Sequence, residues 1–320
     1  MKGRPAQILF QQWADIAIQH LHGWFDNVPA PLKSRLSILQ NRLAPFGNGN
    51  LARAFFSPHK TPFPQLMFEH ATQLGIVCTS REQAAVQGIF ALYCTLRILD
   101  DVVDEPEVFG RDHVYLAQHF SVLSDELFAQ AVGGSTRFWT FKRALLTEMA
   151  AVSAWEVDVL RASNFGNLPT ETTDLTVKLG AKLAPLGIGL FALSCIADRE
   201  RDSDWIAQFS KSFGAGLQVA NDLLNARPDH IRGFYTPVLI ALYSRGLANP
   251  NNKGEPIWPT LVGHPVFDEL LQVARSHCQA AEKCAQDAGA AGVAQVVRDR
   301  LAAMDDLKMR LLALSLGSRT

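Results

Sequence analysis

The chain has 320 residues, and its 30 Lys and Arg against 31 Asp and Glu leave a formal net charge of −1. That balance argues against non-specific nucleic-acid binding as the main activity. A composition that is 48% hydrophobic and only 19% charged excludes a disordered chain and allows a sizeable buried core.

Apolar residues recurring at spacings of three and four predict helices over 5–26, 31–44, 63–75, 81–105, 112–131, 136–162, 172–198, 202–227, 235–245, 266–287 and 291–315. Convincing strands of period two are missing. Loops are marked by Pro, Gly and Asn at Pro29 to Pro31, Gly47 to Asn50, Pro58 to Pro62, Asn164 to Pro169 and Asn249 to Pro265. None reads as an interdomain linker and no internal repeat is present, so a single all-α domain over 1–320 is expected. The longest uncharged apolar run, Leu183 to Ala197, is 15 residues long. It is too short for a membrane span and reads as a helix buried on all sides. The N-terminal stretch lacks the apolar core and cleavage site of a signal peptide. Cys78, Cys94, Cys195, Cys278 and Cys284 lack metal-type spacing and read as free thiols in a reducing, cytoplasmic setting.

Two polar clusters stand out. The first, Asp100-Asp101-Val-Val-Asp104-Glu105-Pro106, closes an apolar helix. Asp100 and Asp104 lie at i and i+4, on one face, and Pro106 stops the helix. Acids crowded at a helix C-terminus oppose the macrodipole and repel one another, so something must offset the cost. A Mg²⁺ ion does so in one reading. In the other the end is a solvated acidic surface with Arg97 paired to Asp101 at i+4. The second cluster, Gln218-Val-Ala-Asn221-Asp222-Leu-Leu-Asn225, follows the small residues Gly214, Ala215 and Gly216, which let a neighbouring helix approach closely. Asn221, Asn225 and Asp229 share a face if the helix runs that far; otherwise Asn225 and Pro228 end it and Asp229 caps the next.

Taken together, over about residues 55–245, the two clusters resemble those of the class I isoprenoid synthases: prenyl diphosphate synthases, head-to-head synthases and terpene synthases. Asp100-Asp101-Val-Val-Asp104 is similar to that family's first D-D-x-x-D motif. Gln218 to Asn225 resembles the second, Q-x-x-D-D-x-x-D, with its outer aspartates replaced by asparagines. The resemblance implies an all-α bundle around a cavity, a prenyl diphosphate substrate and Mg²⁺, three ions with the diphosphate bound. Implied metal ligands are Asp100, Asp101, Asp104, Asn221, Asn225 and Asp229, with Asp100, Asp104 and Asn221 as the catalytic set. Lys178, Arg232 and Gln218 are implied to meet the diphosphate, although Lys178 and Lys182 also read as surface charges. Tyr93, Phe109, Trp155, Phe191 and Phe213 are candidates for an aromatic wall, each also readable as plain core. Leu96 and Thr95, before the first motif, imply a pocket for a C15 to C20 chain. A homodimer is a common assembly in the family.

Departures from the family pattern bear on the reaction. The cluster that binds isopentenyl diphosphate, G-K-R-x-R-P, is matched here by His59-Lys60-Thr61-Pro62-Phe63-Pro64; the Arg-Arg-Gly after the first motif is Val108-Phe109-Gly110; and G-K-x-T-x-P is Gly233-Phe234-Tyr235-Thr236-Pro237. With Lys60 retained but the other five cations of these motifs replaced, the expected chemistry is ionisation of one allylic diphosphate by a terpene synthase. Alternatives are chain elongation or head-to-head prenyl transfer with other cations, and a non-catalytic subunit of a heteromeric synthase.

Overall fold

The computed structural model describes residues 4–47, 50–57, 61–161, 165–168 and 172–317. Its α-helices are α1 (Arg4–Asp26), α2 (Lys33–Gly47), α3 (Leu51–Phe55), α4 (Phe63–Leu74), α5 (Ser80–Asp104), α6 (His113–Val132), α7 (Thr136–Trp155), α8 (Thr172–Gly180), α9 (Ile188–Ile196), α10 (Ser203–Arg232), α11 (Pro237–Ser244), α12 (Ile257–Val262), α13 (Val266–Asp287), α14 (Ala291–Met304) and α15 (Leu307–Gly317). Among the described residues there is no strand, in line with the all-α expectation. The chain groups into two compact units, one of 1–140 with 188–202 and one of 141–187 with 203–320.

In the first unit α5 is the axis. Thr79 caps its start, the hydroxyl accepting from the Glu82 amide at 3.1 Å. Glu82 then turns back to accept from the Cys78 amide at 3.1 Å and from Trp13 Nε1 at 2.7 Å, which ties α1 to the first turn of α5. Helix α6 lies along α5 through a close approach in which Ser124 Oγ donates to the Gly88 carbonyl at 2.9 Å. Helix α9 packs on α4, α5 and α6 and is buried from Ile188 to Cys195, as expected of the uncharged run.

A buried polar network fastens α9 to α4. Ser194 Oγ donates to Asp202 Oδ2 at 3.1 Å and therefore accepts from His70 Nε2–H across 2.8 Å, while Arg199 pairs with Asp202. Burial pushes the His70 imidazole down to about 4, and the Asp202 charge opposes this without reversing it. The unfolded chain takes up this proton at the ordinary value of 6.5. The contribution of a neutral His70 is therefore complete above pH 6.5 and is lost as the pH falls from 6.5 toward 4. Urea unfolding at pH 7 and pH 4.5 should show a loss roughly 2–3 kcal/mol larger in the wild type than in His70→Asn, whose side chain has no such proton to bind. Equal losses in both proteins would remove His70 from the pH response.

In the second unit α10 is flanked by α8 and α13. The small residues expected to admit one neighbour admit two. A Cβ on Gly214 would lie 2.5 Å from the Gly180 carbonyl oxygen at the end of α8, and one on Gly216 would lie 2.8 Å from the Ala274 carbonyl of α13. Backbone cannot retreat as a side chain can, so Gly214→Ala should cost about 2–3 kcal/mol in urea unfolding, against less than about 0.5 kcal/mol for the exposed, unobstructed Gly134→Ala.

Several expected boundaries are corrected. The helix expected over 172–198 is broken, because α8 stops at Gly180 and a 3₁₀ turn, Ala184–Gly187, precedes α9. Pro185 within that turn cannot join an α-helical ladder. The helix expected over 136–162 changes to a π-helical segment, Glu156–Arg161, after Trp155. The one expected over 202–227 runs on through Pro228 to Arg232. Beyond it Gly233 adopts φ +80° and the Phe234 amide bonds to the Asp229 carbonyl at 2.9 Å, a glycine C-cap. Buried His230 anchors this end, its Nδ1 2.6 Å from the Tyr243 hydroxyl and its Nε2 2.8 Å from the Asn252 carbonyl. The 291–315 helix divides between α14 and α15, and the short α3 and α12 fall where loop or no element is expected. Among the described residues no single helix is long and apolar enough to cross a membrane. The same residues include free cysteines that are buried at Cys94, Cys195 and Cys278 and exposed at Cys78.

Candidate functional site

The acids at the end of α5 sort by helical stripe. Asp101 and Glu105 point inward, with side chains only 2% and 6% exposed, and each meets an arginine: Arg97 NH2 lies 2.7 Å from Asp101, and Arg42 NH2 lies 2.5 Å from Glu105. Asp100 and Asp104, the other i,i+4 pair, are half-buried and open to solvent. Arg97 also lies 3.7 Å from Asp100. The Arg97–Asp101 pair is thus present, and Asp101, expected among the metal ligands, is committed to a guanidinium. Burial pushes its carboxyl up to about 6, opposed by Arg97 and Arg42. Tyr93 and Leu96, at i−7 and i−4 from Asp100, continue the same half-buried stripe. Tyr93 packs against Phe55 with centroids 5.0 Å apart, and burial raises its phenol to about 12.

On α10 the face carrying Asn221, Asn225 and Asp229 is continuous, because the helix does run that far. Asn221 is exposed, Asn225 and Asp229 are half-buried, and Asp222 points the other way with 2% exposure. Gln218 Nε2 donates to Asp222 Oδ1 at 2.8 Å, so this side chain is committed within the helix, while Asp222 Oδ2 is buried with no hydrogen-bond partner. Burial holds the Asp222 carboxyl well above the usual carboxylate range, and Asp229 adds to the shift. Arg232 is exposed at the helix end. Lys178 is exposed, with Nζ 3.5 Å from the ring centre of Trp155, whereas Lys182 is half-buried and 2.6 Å from Glu156. Phe191 and Phe213 are core residues, stacked on Phe138 and Phe209 respectively. Arg161 NH2 lies 3.6 Å from Glu156, a contact the sequence does not signal, since a Glu and an Arg five apart do not pair on an α-helix.

The donors suit a hard cation. Asp100 and Asp104 offer carboxylate oxygens, and the α10 face offers amide and carboxylate oxygens. Mg²⁺ takes one or two protein carboxylates and completes its shell with water and phosphate. Among the described residues no three His, Cys, Asp or Glu side chains group to hold a metal by themselves.

The helical architecture is the isoprenoid synthase fold. Among solved structures, the chain is similar to the geranylgeranyl pyrophosphate synthetase from the archaeon Geoglobus acetivorans, with a TM-score of 0.70 at 15% identity over 96% of this chain and 99% of that one. No protein-family model and no curated protein matches the sequence.

Arg97 is the partner of Asp101, one of the two inward acids. Arg97→Met leaves Asp101 buried beside other acids and should cost about 2–3 kcal/mol in urea unfolding at pH 7.5, with Asp101→Asn in the same chain recovering at least half. Simple additivity of the two substitutions would show that the pair is not coupled.

Proposed function

We propose that the chain is a Mg²⁺-dependent class I terpene synthase that ionises one allylic prenyl diphosphate of the C15 to C20 class and releases pyrophosphate with a cyclised, deprotonated or hydroxylated product. The observation that carries the reading is the outward pair Asp100 and Asp104 at the end of an apolar stripe, on a fold shared with a prenyl diphosphate synthetase. In the first unit Asp100 and Asp104 would be Mg²⁺ ligands, and in the second Asn221, Asn225 and Asp229 would be. When bound, the metal supplies Lewis-acid neutralisation of the departing diphosphate. Arg97 fixes the helix end by binding Asp101, which leaves Asp100 and Asp104 oriented outward. Tyr93 stays protonated and presents, with Leu96, an apolar approach to the acid pair.

Phe109 favours a single diphosphate over two. Where the family pattern has an arginine, this ring is fully buried, 5.2 Å from that of His113. Thr61 is likewise buried, and His59 and Lys60 lie outside the described residues. The second reading, a prenyl diphosphate synthase, draws on the activity named for the archaeal neighbour.

Incubation with Mg²⁺ and geranyl, farnesyl or geranylgeranyl diphosphate, each with and without isopentenyl diphosphate, separates the readings by mass spectrometry. A hydrocarbon or alcohol from one allylic diphosphate alone is expected; longer diphosphates formed only with isopentenyl diphosphate mean chain elongation, and no turnover points to a non-catalytic subunit. Asp100→Ala and Asp104→Ala should each lower turnover by about 100-fold or more while leaving the thermal transition within about 3 °C of the wild type. A variant with wild-type turnover would sink the metal assignment.

A further inference from the structure

The π-helical segment after α7 places two cations around one carboxylate. Five residues along an α-helix turn a side chain well away from its starting direction, but the wider π turn, closed by i→i+5 hydrogen bonds, brings i and i+5 much nearer to one face. Glu156 and Arg161 stand in that relation, and Arg161 NH2 lies 3.6 Å from Glu156 Oε1. The other oxygen, Oε2, takes Lys182 Nζ at 2.6 Å. Lys182 is delivered by the turn after α8, which the contact between Gly180 and Gly214 presses against α10. The α10 ridge continues from Gly214 through Gln218 to Asp222, and Lys182, Glu156 and Asp229 all act electrostatically on Asp222.

From this arrangement we propose that Arg161 and Lys182, gathered by Glu156, are the cations that receive the diphosphate group on the α10 side, and that Lys178 is not. This rests on the prenyl diphosphate reading above and names the residues that carry one part of it. The Arg161, Lys182 and Glu156 side chains keep 14–15% of their surface, enough for a small anion to reach them. A guanidinium fork beside an ammonium matches the several oxygens of a diphosphate better than the two of a carboxylate. Arg161 is held further by the Phe234 ring, 4.4 Å below its guanidinium carbon. Glu156 keeps the two cations close in the absence of ligand and gives them up to a more highly charged anion. Lys178 has settled on the face of Trp155 instead.

Calorimetric titration of the full chain with inorganic pyrophosphate and Mg²⁺ tests this without turnover. Lys182→Met and Arg161→Met should each weaken binding by about tenfold or more, and Lys178→Met by less than about twofold. Lys182→Arg, which keeps charge and is the least disruptive to folding, should retain binding to within about threefold, and Glu156→Gln should tighten it. Loss in Lys178→Met with binding kept in Lys182→Met overturns the assignment. A wild-type chain that binds no pyrophosphate overturns the prenyl diphosphate reading itself, so the two failures are distinct.

Discussion

Like charges at the end of a helix are the constraint around which the polar contacts of α5 are arranged. Asp100, Asp101, Asp104 and Glu105 fall within six residues, at the end where the backbone dipole is already negative. The structure resolves the conflict by geometry. The 3.6-residue period divides the acids into two stripes, and each inward acid is given an arginine, Arg97 or Arg42. Pairing one stripe inside the protein leaves the other, Asp100 and Asp104, half-buried at the helix end, with Arg97 3.7 Å from Asp100. The same arginines that stabilise the helix end therefore decide which of its carboxylates stay at the surface.

The second unit also sorts its polar residues by helix face. Helix α10 is crowded by backbone on two sides, at Gly214 and at Gly216, so its polar residues have few directions left to take. Asn221, Asn225 and Asp229 line up on an open face, while Asp222 is pressed inward near Lys182 and Glu156. Close helix packing and the ordering of charge are here one arrangement.

Much of this was readable from residue order, and the remainder has a common cause. The acid pair, the Arg97–Asp101 contact and the small-residue stripe are local relations at spacings of three, four or one, which a helix converts directly into proximity. The apolar run at 183–197 also disclosed its burial, though not the break before α9 that Pro185 imposes. What stayed hidden depends on distant partners. Pro228 reads as a terminator, but His230 is held by Tyr243 and by the carbonyl of Asn252, and these contacts carry the helix past it. The approach of Lys182 to Glu156 spans 26 residues and a change of helix type. The turn after Gly180 sets Lys182 beside Glu156, while Lys178, four residues earlier, lies on the ring of Trp155.

The α4–α9 network has a bearing on how the protein is made. His70 and Ser194 are separated by 124 residues, and Trp13 and Glu82 by 69. The first unit is thus discontinuous: its core waits for α9, which is synthesised only after the 141–187 segment of the second unit. Contacts so far apart are costly to close early, and until α9 is available α4, α5 and α6 leave apolar surface uncovered. A ribosome-bound fragment ending before Ile188 would be a chain with an open core, dependent on protection from aggregation, and the two units cannot be separated by a single cut in the sequence.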